Sequence, residues 1–239
     1  VALTTMSPTL ETPAAAPKKR WWQSGSGTTD SANDSGGKRD LKMDTLAGAI
    51  NGDILVHIHC YRADEMAVMM DLAKEFGFKI SAFHHGVEAY KLAPQLAKEG
   101  IAGSVWADWG GFKMEAIDGI KANLAILHAA GARAIVHSDD PSGSQRLNQE
   151  AAKGMAAGLA AGLTITRDDA IKWITINAAW ALGLDDRIGS IEVGKNADLV
   201  LWSGAPFSVY SRAERVWVDG AVLFDRADRV LEQGRGDVT

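Results

Sequence analysis

Ile54-Leu55-Val56-His57-Ile58-His59 is a short run of mostly β-branched and apolar residues, and a helically spaced stretch from Asp64 to Phe76 follows it, stopped by Gly77. A strand and then a helix in that order make one βα unit. The unit repeats. Lys79 to His85 reads as a second strand, with a helix from Glu88 to Lys98 ending at Gly100. Ile101 to Trp106 reads as a third strand, with a long helix from Lys113 to Ala130 closed by Gly131. Ala134 to Ser138 is a fourth strand, followed by helix from about Ser144 to Ala161. Four consecutive βα units imply an α/β fold with a parallel sheet and helical crossovers.

Beyond Leu163 the pattern changes. Thr166 to Leu182 reads as one helix whose start is capped by Thr166-Arg167-Asp168-Asp169. Asp198 to Trp202, Arg215 to Val218 and Ala221 to Phe224 read as strands, and Asp219-Gly220 between the last two is a hairpin turn. In the other direction, Ser7-Pro8-Thr9, Ser24-Gly25-Ser26-Gly27 and Ser35-Gly36-Gly37 are linker chemistry. Residues 1–40 are therefore expected to be a poorly ordered linker, within which Lys18-Lys19-Arg20-Trp21-Trp22 is too short a basic run to mark a nucleic-acid site. Residues 229–239 are expected to be a frayed tail.

The four units run from Asp53 to Leu163, roughly 28 residues each, so eight would need about 220, near the ~250 of a (β/α)8 barrel. The 52 residues before Asp53 cannot hold four more. If the sheet is a barrel, half of one is expected here, with its first and last strands as open edges. Composition sets the outer bounds. Hydrophobic residues make up 46% and charged residues 23%, as in globular chains. A net charge of -5 and a pI near 5.7 argue against nucleic acid as the main partner. No run is long and apolar enough to span a membrane. A single cysteine, Cys60, excludes an internal disulfide framework.

Five of the six histidines lie in or at the ends of these strands. Alternation puts His57 and His59 on one face, sends His84 and His85 to opposite faces, and places Asp139 on the face of His137. His59, His85 and Asp139 stand at the C-terminal ends of three strands, where parallel α/β barrels gather their catalytic groups. A lone strand histidine is ordinarily a hydrogen-bonded core residue. Three polar groups at the same end of three strands point instead to a metal or catalytic cluster, because burying them unpaired is costly. Imidazole and carboxylate are ordinary zinc ligands. His128, late in a helix near Gly131, has a cap or core role.

His57-Ile58-His59-Cys60-Tyr61-Arg62-Ala63-Asp64-Glu65, Glu75-Phe76-Gly77, His85-Gly86-Val87-Glu88-Ala89-Tyr90-Lys91 and Thr175 to Leu184 resemble the imidazolonepropionase-like and Xaa-Pro-dipeptidase-like branch of the amidohydrolase superfamily. The most specific match is Asp186-Arg187-Ile188-Gly189-Ser190-Ile191-Glu192-Val193-Gly194-Lys195-Asn196-Ala197-Asp198-Leu199-Val200, which is similar to the return of the chain from barrel to small β-sandwich. The resemblance covers residues 38 to 226. It implies the C-terminal half (strands five to eight) of a TIM barrel over 41–183, and the C-terminal strands of a small β-sandwich over 184–228.

The resemblance also implies a divalent metal, zinc by default and one or two ions, with His59, His85 and Asp139 as ligands from strands five, six and eight. His59 is preferred to His57, which lies deeper in its strand. His85 is preferred to His84 because the expected glycine follows it, and Asp139 to Asp140, which has left the strand. Asp139 would also be the catalytic proton acceptor, with Tyr61 and Arg62 touching substrate. The implied activity is hydrolysis of an amide or cyclic amide C–N bond in a small, peptide-like molecule. One departure stands out. No histidine precedes His57, so the His-x-His that the family carries on strand one is absent. A missing N-terminal half, a complementing chain or a homo-oligomer is expected to supply what the chain lacks. A catalytically inactive scaffold is the contrasting expectation, since fold alone does not establish activity.

Overall fold

A computed structural model describes residues 39–228. The basic run at 18–22 and the tail at 229–239 lie outside the described residues. Four parallel strands, β1 (Val56–Cys60), β2 (Ile80–His85), β3 (Ala102–Val105) and β4 (Arg133–Val136), form one sheet in sequence order. Three antiparallel strands, β5 (Leu199–Trp202), β6 (Ala213–Val218) and β7 (Ala221–Asp225), form a second. Asp219 (φ 49°) and Gly220 (φ 81°) turn β6 into β7, the two positive φ values that a tight hairpin of the right twist requires.

The helices pack chiefly on one face of the parallel sheet. α2 (Ala63–Phe76), α3 (Ala93–Glu99), α4 (Asn123–Ala129), α6 (Leu147–Ala160) and α7 (Arg167–Lys172) contribute Met66, Leu96, Leu124, Leu127 and, just past α7, Trp173 to one core with Phe83 of β2. On the opposite face the strands present the smaller Ala82, Ala102 and Ile135, and α8 (Ile176–Ala181) lies there through Ala178, Trp180 and Ala181. Strands buried on both faces read as apolar runs, which suits β2, β3 and β4, whereas β1 is only half-buried over most of its length. No helix among the described residues is long and apolar enough to cross a membrane.

Several helices differ from expectation for tertiary reasons. Residues 113–122 are not α-helical. A three-residue 3-10 turn, Met114–Ala116, sits in a loop that folds back until a Cβ at Gly119 would stand 3.1 Å from the Cα of Gly110. Only α4 survives of the long helix. The stretch from Thr166 to Leu182 splits into α7 and α8, because the Trp173 carbonyl accepts a hydrogen bond from the Val136 amide (3.1 Å). That bond, with Asn177 Nδ2 donating to the Ala134 carbonyl (2.9 Å), occupies the edge of β4 that was expected to be open. The second helix begins as a 3-10 turn (Ala89–Leu92) before α3, and a single turn, α5 (Pro141–Ser144), precedes α6.

α1 (Leu41–Asn51) was not anticipated. Asp40 caps it by accepting from the Lys42 and Met43 amides, and Gly52 ends it at φ 82°.

Candidate metal centre

Register brings the chemistry to one end of the parallel sheet. Cys60 pairs with His85, His85 with Val105 and Val105 with Val136, so the strands end level. The chain turns sharply just there. His85 (φ 68°) and Asp139 (φ 50°) are two of the three non-glycine residues with positive φ among those described. For an L-residue this conformation is uncommon, and it persists where the surroundings over-determine it, often at functional sites. Gly86 (φ 44°) leaves no room for a side chain, since its Cβ would fall 2.6 Å from Val105 Cγ1.

The turn at His85 overturns the expectation that His84 and His85 face opposite ways. Both rings meet the same histidine cluster. His85 Nε2 lies 2.8 Å from His59 Nδ1, and His85 Nδ1 lies 3.2 Å from His137 Nε2 and 3.9 Å from Asp139 Oδ2. His84 Nε2 lies 2.8 Å from His57 Nδ1, and its ring stands 5.5 Å from that of His59 and 5.6 Å from that of His137. His57 Nε2 contacts the Ala181 carbonyl at 3.0 Å, which ties the cluster to α8.

Of the sequence candidates, His59 and Asp139 are each brought to His85, on its two different ring nitrogens. The compact donor set is His85, His137 and Asp139, whose ligand atoms lie within 4.8 Å of one another. His137 had been placed on the face of Asp139 without a role, and that shared face was the available signal. Tyr61 stacks its ring on His85 (4.6 Å between centroids, 14° between planes), and Lys113 Nζ covers the Tyr61 ring at 3.7 Å. Arg62 forks onto Asp64 at 2.9 and 2.8 Å. His128, as expected, is structural: its Nε2 stands 3.6 Å from Asp169 Oδ1, between α4 and α7.

Burial pushes His84 and His137 down to about 4, and neighbouring imidazoles add to the effect. His85 is lowered by burial and by His59, against the pull of Asp139. These rings are therefore neutral near pH 7 and have a lone pair to offer, the form in which imidazole binds metal. Donors around a tetrahedral zinc at ~2.0–2.2 Å stand about 3.3 Å apart. The 3.2 and 3.9 Å separations about His85 Nδ1 are close to that, so the residues fit a divalent ion.

The Trp106 Nε1–H donates to the Ser138 carbonyl at 3.1 Å and fixes the bend that carries Asp139. Asn123 does the same for the bend after His85, its Nδ2 donating to the Gly86 (2.9 Å) and Val87 (3.0 Å) carbonyls.

Known proteins similar to this chain fall in one superfamily. Residues 127–224 match the model of the amidohydrolase family. The amidohydrolase tasK of Hapsidospora irregularis is 33% identical over 192 residues, 78% of this chain and 19% of that protein. An imidazolonepropionase of Shewanella frigidimarina is 55% identical over 38 residues, 16% of this chain and 9% of that protein. The crystal structure of an amidohydrolase from Thermotoga maritima is 36% identical with a TM-score of 0.72, over 80% of this chain and 48% of that one. The chain belongs to the amidohydrolase superfamily. It spans less than half the length of each of these relatives.

Proposed function

We propose that the chain is the C-terminal half of a metal-dependent hydrolase acting on amide or cyclic amide C–N bonds. In this reading residues 41–183 are strands five to eight of a TIM barrel and residues 184–228 belong to a small β-sandwich, while the first four strands and their His-x-His come from a preceding segment or a complementing chain. The observation that carries it is the convergence of His59, His85, His137 and Asp139 at the C-terminal end of one parallel sheet, on a backbone bent out of its ordinary conformation at two of the four.

His85 and Asp139 would hold the metal together with His137, the donors that lie within 4.8 Å of one another, while His59 meets the other ring nitrogen of His85; zinc is the default for such donors. A divalent ion there supplies Lewis-acid polarisation of a carbonyl and acidification of water. Asp139 takes the proton of the attacking water and delivers it to the leaving nitrogen, which departs as an amine. Tyr61, flat on His85, holds that ring and forms one wall against the substrate, with Arg62 at the rim.

Reading the encoding DNA in frame upstream of Val1, and producing the polypeptide it specifies, makes the test direct. The expected result is a His-x-His at a strand end, one or two equivalents of bound divalent metal, and amide hydrolysis lost on chelation and in Asp139→Asn. A polypeptide that binds no divalent metal and cleaves no amide would refute the proposal and leave the scaffold.

A further inference from the structure

A cavity of about 310 Å³ opens against His85, and the proposed reaction does not by itself say what it holds. Its size is at the lower end for small-molecule sites, enough for one side chain. Trp106, Trp109, Ile117 and Ile120 are among the side chains of its wall. Trp106 and Trp109 stack 5.7 Å apart at 15°, presenting flat apolar surface. The loop that broke the expected helix at 113–122 builds the other side, and the close approach of Gly110 to Gly119 is what gives that loop its shape.

Two charged groups line the cavity, and they differ. Asp108 is already engaged by Lys153, which is not a lining residue, at 3.1 Å. Lys121 is exposed and has no ion pair among the described residues. An occupant with a basic side chain would meet an occupied carboxylate and a repelling ammonium. One with an apolar side chain and a carboxylate would meet aromatic surface and an unpaired cation. His85, the fourth side of the cavity, lies beside the proposed reacting centre, so such an occupant would present its amide there.

We infer that this cavity is the specificity pocket for the amine half of the substrate, and that it takes an N-acyl amino acid with an apolar, preferably aromatic, side chain. The side chain lies between Trp109 and Ile117 and the α-carboxylate meets Lys121. The inference rests on the hydrolase reading for its orientation, but the pocket is a binding site whether or not hydrolysis follows.

Binding to the 239-residue chain, followed by ligand-observed NMR, separates the two. N-acetyl-L-phenylalanine is expected to bind at least about tenfold tighter than N-acetylglycine, from the apolar area buried. It is expected to bind about threefold tighter than N-acetyl-L-phenylalaninamide, as fits an exposed ion pair. Lys121→Gln should erase the acid-over-amide difference, and Ile120→Trp should erase the preference for the aromatic side chain by filling the space. Equal binding of all three probes, no binding of N-acetyl-L-phenylalanine, or an acid preference unchanged in Lys121→Gln would each overturn the inference. Specific binding without any hydrolysis by the full polypeptide would leave the pocket standing and remove the hydrolase reading.

Discussion

The two sheets of this chain are in opposite conditions. β2 and β3 are buried along nearly their whole length, with α2, α3, α4 and α6 on one side and α8 on the other. β5, β6 and β7 have no fully buried residue, and Val200, Leu201, Val222 and Leu223 are exposed. The parallel sheet finds its apolar partners among its own crossover helices, because a βα repeat delivers each helix back onto the strands beside it. The antiparallel sheet is held by its ladder and turn, with little apolar cover among the described residues. A chemically demanding cluster of neutral imidazoles belongs on the first kind of scaffold, where rotamers are fixed by packing.

The contrast is sharpest in a core truncation. Phe83 is fully buried in β2, two residues before His85. Phe83→Ala should lower stability by about 3–5 kcal/mol, the range for a large aromatic side chain in a close-packed interior. Urea unfolding followed by circular dichroism reads this directly. A loss under 1 kcal/mol would mean that the parallel sheet is no better packed than the small one.

Next in size is the bend after His85. Gly86→Ala places a methyl 2.6 Å from Val105 Cγ1 at φ 44°, so both crowding and backbone strain oppose it. The expected loss is about 1–3 kcal/mol, with a fall in metal affinity because His85 must turn with the backbone. Unchanged affinity would show that the positive φ at His85 does not set the ligand geometry.

What was legible in the sequence follows the same division. The four parallel strands could be read because each has a β-branched or apolar run followed by a helix and a glycine or loop stop, and the Asp219-Gly220 turn because its φ values select those residues. The positions of His59, His85 and Asp139 at strand ends were also readable. Three things were not. The loop at 110–119 depends on one glycine backbone packing against another, a tertiary contact between residues nine apart that the spacing of apolar residues does not encode. The break at Trp173 depends on the edge of β4 needing a partner. The shared side of His84 and His85 depends on a positive φ that strand alternation cannot express, although Gly86 next to it was a hint. The same alternation did place His137 on the side of Asp139, but gave no measure of its 3.2 Å approach to His85.

The histidine cluster gives the parallel sheet a pH dependence. His84 and His137 have folded values of about 4, down from 6.5. Below pH 6.5 the unfolded chain takes up protons that the folded chain refuses until about pH 4. Stability from these groups is therefore complete above 6.5 and is lost as pH falls from 6.5 towards 4. In metal-free protein the urea midpoint should fall between pH 7 and pH 5, and His137→Gln should make that fall smaller. An identical pH profile in His137→Gln would place the acid sensitivity elsewhere.

The smallest expected effect is the most informative about the second sheet. Leu223 in β7 is 69% exposed, so Leu223→Ser removes little apolar contact in this chain and should change stability by no more than about 0.5 kcal/mol. The same substitution in the polypeptide extended upstream of Val1 tests the proposed sandwich. If strands from the preceding segment lie on this face, Leu223 becomes a core residue there and its replacement should cost several times as much, since a buried leucine contributes roughly 1.5–3 kcal/mol by its burial alone. Equal and small losses in both polypeptides would mean that β5, β6 and β7 keep an open face in the longer protein too, and the difference between the two sheets would then belong to the fold rather than to the part of it contained in this chain.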